Sequence, residues 1–342
     1  TVDGVVACEG SIFKSHFTDL LPAMMIGALG LAAASGRLSV AYGSEAGRMS
    51  PELTHLVSDY CAEAYIIARN ARSRDLLAER GLVADVGTDT AWTFEPHPRE
   101  QGELELRRKG WNGRPILTVC PINPFWWPVN ISLAKSLVRP FGFYRDSHYG
   151  RVFFHRCGSE VERRFESYLR SLSVAVAGFC ARRNYFPVIA GCERLDRIAV
   201  NRLAKSLGGA ATFVSFDYEP RRFVSILRCS RLLLSSRYHA VVTTMPAGVV
   251  SAGLSMDERL DNLLEERRHP HLLSRVDDSD LAEKLENSLE TMHAQREQLQ
   301  AETEFDVCRH LRRMSHMGKL IVEYVCSRYP QFENLTDRSS WE

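Results

Sequence analysis

"LLLSSRYHAVVTTMPAG", residues 232–248, runs from an apolar stretch through two serines into Arg237, Tyr238 and His239, then into a second apolar stretch. A short apolar run bounded by small polar residues reads as a buried strand that stops and a helix that starts. A strand buried on both faces belongs to a parallel sheet covered by helices. In such sheets ligands lie beyond the carboxyl ends of the strands, where a helix N-terminus offers free N–H groups to an anion. Arg237 and His239 therefore read as parts of an anion pocket on the rim of a sheet.

The same alternation extends in both directions. Upstream, strands are expected at 2–8, 38–42, 64–68 and 82–87, with helices over 18–35, 51–61 and 73–80. Residues 95–114, "EPHPREQGELELRRKGWNGR", are polar and rich in turn formers and read as a linker. The pattern restarts with strands at 115–122, 186–191, 211–216, 231–236 and 248–255. Helices are expected over 159–183, 194–207, 219–230 and 257–266. In the first of them Val161, Phe165, Leu169, Leu172, Val176 and Phe179 recur at helical spacing. From Asp278 to Tyr329 the sequence reads as helix. The expected architecture is α/β: an N-terminal lobe over 1–95, a linker over 96–114, a second lobe over 115–277 and a helical tail over 278–342, with a cleft between the lobes.

The totals agree with two lobes. The chain has 342 residues, too many for one ordinary core, and is 45% hydrophobic and 25% charged. A net charge of +1 argues neither for a nucleic-acid partner nor for an acidic membrane. Nine cysteines include no CxxC pair and no zinc-site spacing, which suits reduced thiols in a cytoplasmic protein and predicts no metal. "LLPAMMIGALGLAAA" (20–34) is short for a membrane span and reads as a helix buried against a sheet. The first residue is not Met and no basic n-region follows it, so a processed chain or a fragment is expected, without a signal peptide. There is no GxGxxG, P-loop or HExxH, and the sequence sets no oligomeric state.

Other strand ends carry candidates of the same kind. Glu9-Gly10-Ser11 follows the first strand, Gly43-Ser44 the second, Arg69-Asn70 the third, Asp89 the fourth, and Asp257 with Arg259 the last. Each alone has a plainer explanation: a lone arginine after a strand is more often salt-bridged, and the small residues suit turns. Together, three arginines and a histidine at strand ends suit a ligand carrying a carboxylate and a phosphate, which guanidinium forks bind bidentately. An imidazole such as that of His239 can supply a proton. Trp126-Trp127 between Pro124 and Pro128 reads equally as a sugar platform or a structural plug. Glu258 and Glu266 match the E-x7-E spacing of some nucleotide-sugar glycosyltransferases, which keeps that enzyme class as the alternative.

These residues resemble the polysaccharide pyruvyl transferases. The likeness rests on "ARNARSRDLLAERG" (68–81) followed by "GTDTAW" (87–92), on the Arg-x-His helix start in "SSRYHA" (235–240), and on "SMDERLDNLL" (255–264), over about residues 1–266. It implies two Rossmann-like, GT-B-like lobes. It also implies transfer of the pyruvyl group of phosphoenolpyruvate onto two hydroxyls of a saccharide or lipid-linked saccharide acceptor, giving a ketal. It needs no cofactor beyond that donor, and it implies a cytoplasmic enzyme, peripheral at the inner face of the membrane. Arg69, Arg237, His239 and Arg259 would bind the donor, with Tyr238 between the paired residues and His239 as the catalytic acid. Glu9, Gly10, Ser11, Gly43, Ser44, Asp89 and Asp257 would line the substrate site. The sequence departs from the family pattern in three places: the opening strand and its Asn-x-Gly-Asp-like loop are not visible, Asn70 replaces a frequent Asp, and Arg259 stands where lysine is usual. The first departure predicts an N-terminal lobe lacking its first strand–helix unit.

Overall fold

The computed structural model describes residues 2–8, 10–144 and 150–332. It divides into two compact units, Thr1–Thr90 with Cys308–Glu342, and Ala91–Val307.

The first unit opens with β1 (Gly4–Ala7), α1 (Leu20–Ala34), β2 (Leu38–Ser44), α2 (Pro51–Tyr60), β3 (Tyr65–Ala68), α3 (Ala71–Ala78) and β4 (Ala84–Val86). Its sheet has the order β1-β2-β3-β4, parallel throughout. Local chemistry sets the helix starts. Ser50 accepts the Leu53 N–H at 3.1 Å with Pro51 in the first turn, and Asn70 accepts the Ser73 N–H at 2.8 Å. α1 lies close on α2: a Cβ at Gly30 would come within 2.6 Å of the Tyr60 ring. Ile26 and Leu29 of α1 join Val57, Ile66 and Leu77 in this unit's core.

The second unit holds α4 (Arg99–Arg108), β5 (Ile116–Cys120), β6 (Asn130–Ile131), α5 (Leu133–Val138), β7 (Phe153–Phe154), α6 (Ser159–Arg183), β8 (Phe186–Gly191), α7 (Arg197–Ser206) and β9 (Ala211–Val214). There follow α8 (Pro220–Leu227), β10 (Leu232–Ser235), α9 (Tyr238–Thr244), β11 (Val250–Ser255), α10 (Glu258–Glu266), β12 (Leu273–Arg275), α11 (Leu281–Ala294) and α12 (Arg296–Arg328). The main sheet runs β12-β11-β10-β5-β8-β9, again parallel throughout. That is the doubly wound Rossmann order, built outward in both directions from its first strand. The strand order therefore reverses between β5 and β10. Phe165, Leu172, Val176 and Phe179 of α6 pack with β5, β8 and β10 residues in the larger core.

Both units are Rossmann-like α/β lobes of the GT-B-like class. The structure differs from the sequence expectation at two stretches. Within 96–114, expected as linker, lies α4, which packs on α8 so closely that a Cβ at Gly102 would sit 2.4 Å from the Ser225 carbonyl oxygen. Its contact face is Gly102 and Leu106, too little apolar surface to register as a periodic stripe. The stretch 278–342 is not one tail. α11 and α12 as far as Val307 belong to the second unit, where Arg267 bonds Asp306 at 3.3 Å and Thr303 at 2.8 Å. From Cys308 onward α12 belongs to the first unit. There Met317 is fully buried against Gly43 and Gly87, and His310 Nδ1 lies 2.8 Å from Thr88 Oγ1.

Candidate functional site

The quoted stretch ends β10 and opens α9 at the point of strand-order reversal. The Ser235 hydroxyl accepts the Arg237 N–H and donates to the Arg237 carbonyl, each at 2.9 Å, which turns the chain sharply out of the sheet. The Ser236 N–H donates to the Cys120 carbonyl at 3.0 Å, and its hydroxyl lies 3.0 Å from the Tyr168 hydroxyl, which ties β10 to β5 and α6. Arg237 then turns toward β8. Its Nε donates to Asp196 at 3.0 Å, Nη2 bonds the other Asp196 oxygen, and Nη1 and Nη2 reach Glu193 at 3.2 Å. Asp196 also accepts the N–H groups of Cys192 and Glu193 at 2.9 and 3.1 Å. Burial would lower the Arg237 pKa, but Asp196 and Glu193 outweigh it and hold the guanidinium charged, above its ordinary value. Tyr238 is buried against this turn, whereas His239 is exposed, its ring 5.4 Å from that of Tyr238.

One strand over, Asp257 caps α10 by accepting the Arg259 N–H at 3.1 Å, and the Arg259 guanidinium folds back on the same carboxylate at 2.7 and 2.9 Å. The second unit thus gathers Arg237, Tyr238, His239, Asp257 and Arg259 at the carboxyl ends of β10 and β11. Glu258 and Glu266 are the first and last residues of α10.

In the first unit a matching cluster forms at the ends of β2, β3 and β4. Arg69 donates Nε to the Gly43 carbonyl at 3.2 Å, and bonds Glu45 at 3.3 Å and Asp89 at 3.0 Å. Asn70 donates to the other Glu45 oxygen at 3.3 Å. Gly10 lies over the guanidinium so tightly that a Cβ there would meet Nη2 at 2.0 Å, so a larger residue would have to push the arginine from its place between Glu45 and Asp89. Gly43 has φ +65°, the left-handed region that glycine adopts without strain. The Ser44 hydroxyl is buried with no hydrogen-bond partner among the described residues. Ser11 is half-buried, and Glu9 lies outside the described residues.

The residues singled out from sequence thus form two clusters, one in each unit. In both, the arginine that reads as an anion ligand is already held by carboxylates. Around Arg69 these are Asp89, singled out from sequence, and Glu45, which directly follows Gly43-Ser44; Glu193 and Asp196 around Arg237 carry no motif. The signal available for the latter was "CERLD" (192–196) directly after a predicted strand.

A further feature of the second unit has no sequence signature. A pocket of about 210 Å³ opens at the ends of β5, β11 and β12, lined by Phe125, Trp127, Arg156, Arg164, Met256 and Arg275 among others. Trp127 and Trp126 also pack on His155, with ring centroids 5.0 and 4.7 Å away, so this pair is both plug and wall. Among the described residues no group of three or more His, Cys, Asp or Glu side chains is placed to hold a metal, and no helix is long and apolar enough to cross a membrane.

No protein-family model matches the chain, and no curated protein does. Among solved structures it is similar to a UDP-GlcNAc 2-epimerase from Neisseria meningitidis bound to UDP-GlcNAc (TM-score 0.50, 11% identity, 95% of this chain and 76% of that one). A Listeria monocytogenes protein described as a UDP-N-acetylglucosamine 2-epimerase gives TM-score 0.49 at 13% identity, covering 88% and 68%. A glycosyl transferase family 9 protein from Veillonella parvula gives 0.35 at 10%, covering 81% and 79%. The first of these likenesses supports the two-lobed fold.

Proposed function

We infer that the protein is a saccharide-modifying enzyme that transfers the pyruvyl group of phosphoenolpyruvate to two hydroxyls of a sugar. One observation carries the reading: an exposed histidine, His239, at the strand-order reversal of a Rossmann-ordered sheet, two residues from Arg237 and one strand from Arg259. In the reaction one hydroxyl oxygen bonds to C2 of the enol and a second displaces the phosphate. The two hydroxyl protons end on the methylene carbon and the phosphate, leaving a cyclic ketal and inorganic phosphate. His239, open to solvent and fixed on a short helix, delivers the proton to carbon.

Arg237 has a different role from the one expected of it. Its guanidinium is held by Asp196 and Glu193, so it shapes the turn that presents His239 and lends the donor at most the edge left uncovered. Arg259 is likewise held, on Asp257, and offers the donor only the N–H groups which that carboxylate leaves uncovered; the acceptor is a saccharide or lipid-linked saccharide met in the cytoplasm at the membrane face. The alternative, a nucleotide-sugar glycosyltransferase, draws support from the likeness to an epimerase bound to UDP-GlcNAc. Thermal denaturation separates the two. Phosphoenolpyruvate should raise the melting temperature in proportion to the logarithm of its excess. A shift with UDP-GlcNAc and none with millimolar phosphoenolpyruvate overturns pyruvyl transfer.

A further inference from the structure

Three arginines from separate segments line the pocket beside β5, Arg156 after β7, Arg164 on α6 and Arg275 at the end of β12, with the acid Asp277 in the same lining. Arg275 is partnered by Asp261 at 3.3 Å. Arg156 and Arg164 have no carboxylate partner among the described residues. That sets them apart from Arg69, Arg237 and Arg259, each bound to an acid. Arg164 lies with its guanidinium carbon 4.3 Å from the Phe125 ring centroid. A stacked guanidinium is held by its face, and its N–H donors in the plane remain for an oxyanion. Beside them Trp127 offers an aromatic wall. At about 210 Å³ the pocket is smaller than the about 300–1,000 Å³ of sites for drug-sized ligands, which leaves out a whole nucleotide sugar and suits one sugar ring with its charged group.

We propose that this pocket is the acceptor's anchor: it takes a phosphorylated monosaccharide unit, with the phosphate on Arg156, Arg164 and Arg275 and the ring against Trp127. The proposal rests on the saccharide-enzyme reading above and adds to it the class of acceptor, a sugar that carries phosphate. It also divides labour within the unit, placing the acceptor's anion on Arg156 and Arg164 with the Asp261-paired Arg275 beside them, and the proton transfer at His239.

The test is calorimetric titration of the full chain with glucose 1-phosphate, inorganic phosphate and glucose, in the native protein and in Arg156→Ala, Arg164→Ala and the control Arg163→Ala. Arg163 is exposed on the same helix and already paired with Glu160. Glucose 1-phosphate should bind more tightly than inorganic phosphate, and glucose should give no measurable heat. Each pocket variant should lose about ten- to hundredfold in glucose 1-phosphate affinity, as for a charge-assisted hydrogen bond, and the control should lose none. Phosphoenolpyruvate affinity should be the same in all four proteins. Equal glucose 1-phosphate affinity in Arg164→Ala and native protein, or absence of binding, overturns the proposal. So does displacement of glucose 1-phosphate by phosphoenolpyruvate, which would make the pocket the donor's. If glucose 1-phosphate binds as expected and phosphoenolpyruvate binds nowhere, the pyruvyl reading fails while the pocket assignment stands.

Discussion

Arg69 and Arg237 occupy equivalent places, each just past a buried parallel strand and each clamped by two carboxylates. The difference lies in what the clamp seals. Around Arg69 everything is inside: the arginine is 7% exposed, Glu45 0% and Asp89 3%, and Gly10 covers the guanidinium. Around Arg237 one acid, Asp196, is buried, but Glu193 is 48% exposed and the next helix presents His239 to solvent. The first clamp therefore has the character of a structural staple, since a desolvated charge cluster must stay complete. The second leaves an edge open to water. An arginine after a strand does not by itself tell binding from bracing; the exposure of its neighbours is what separates these two.

Four variants or conditions can break or sharpen this contrast. The largest effect is expected from Arg69→Ala, which deprives two buried carboxylates of their cation and should cost about 3–5 kcal/mol in urea unfolding. Arg237→Ala should cost less, about 1.5–3 kcal/mol, because water can reach Glu193. A larger loss at Arg237 than at Arg69 would reverse the assignment of staple and edge. His239→Gln should leave stability within about 0.5 kcal/mol, as for an exposed side chain. Its turnover with phosphoenolpyruvate, followed by phosphate release, should fall by about 10²–10⁴. The smallest effect is that of pH on the second unit. Burial, with Arg267 for His269 and Arg183 for His293, holds both imidazoles below their ordinary value. Between those values and the unfolded value of about 6.5 the unfolded chain binds more protons, so stability is lost as pH falls below about 6.5. His269→Gln should flatten that slope in melting curves taken from neutral to mildly acidic pH.

Much of the fold was legible because its main strands are short apolar runs, with β2, β8, β10 and β11 ending in glycine or serine. The stretches 38–42, 186–191 and 248–255 match β2, β8 and β11 closely. β12, with Leu273 as its one apolar residue, and the two-residue strands β6 and β7 were too short to register. α4 hid behind its charges. The site was half legible. A strand followed by Ser-Arg-x-His marks a carboxyl end, and the turn made by Ser235 follows from that order of residues. What the arginine touches does not follow, because Asp196 is 41 positions away and reaches it only through the pairing of β5 with β8 on one side and β10 on the other. The pocket was illegible for the same reason, its arginines coming from three separate elements. Met317 and His310, which close over Gly43, Gly87 and Thr88, lie in a segment whose sequence reads only as a helical tail.

The central claim is that the donor is handled where β10 meets α9, not at the sealed cluster of the first unit. It is tested most directly by following the imidazole Cε1–H resonance of His239 in the NMR spectrum during titration with phosphoenolpyruvate, the signal being assigned by its loss in His239→Gln. The account predicts a saturable shift of that resonance at the same concentrations that stabilise the protein to heat. A His239 signal that stays fixed while phosphoenolpyruvate binds would contradict it.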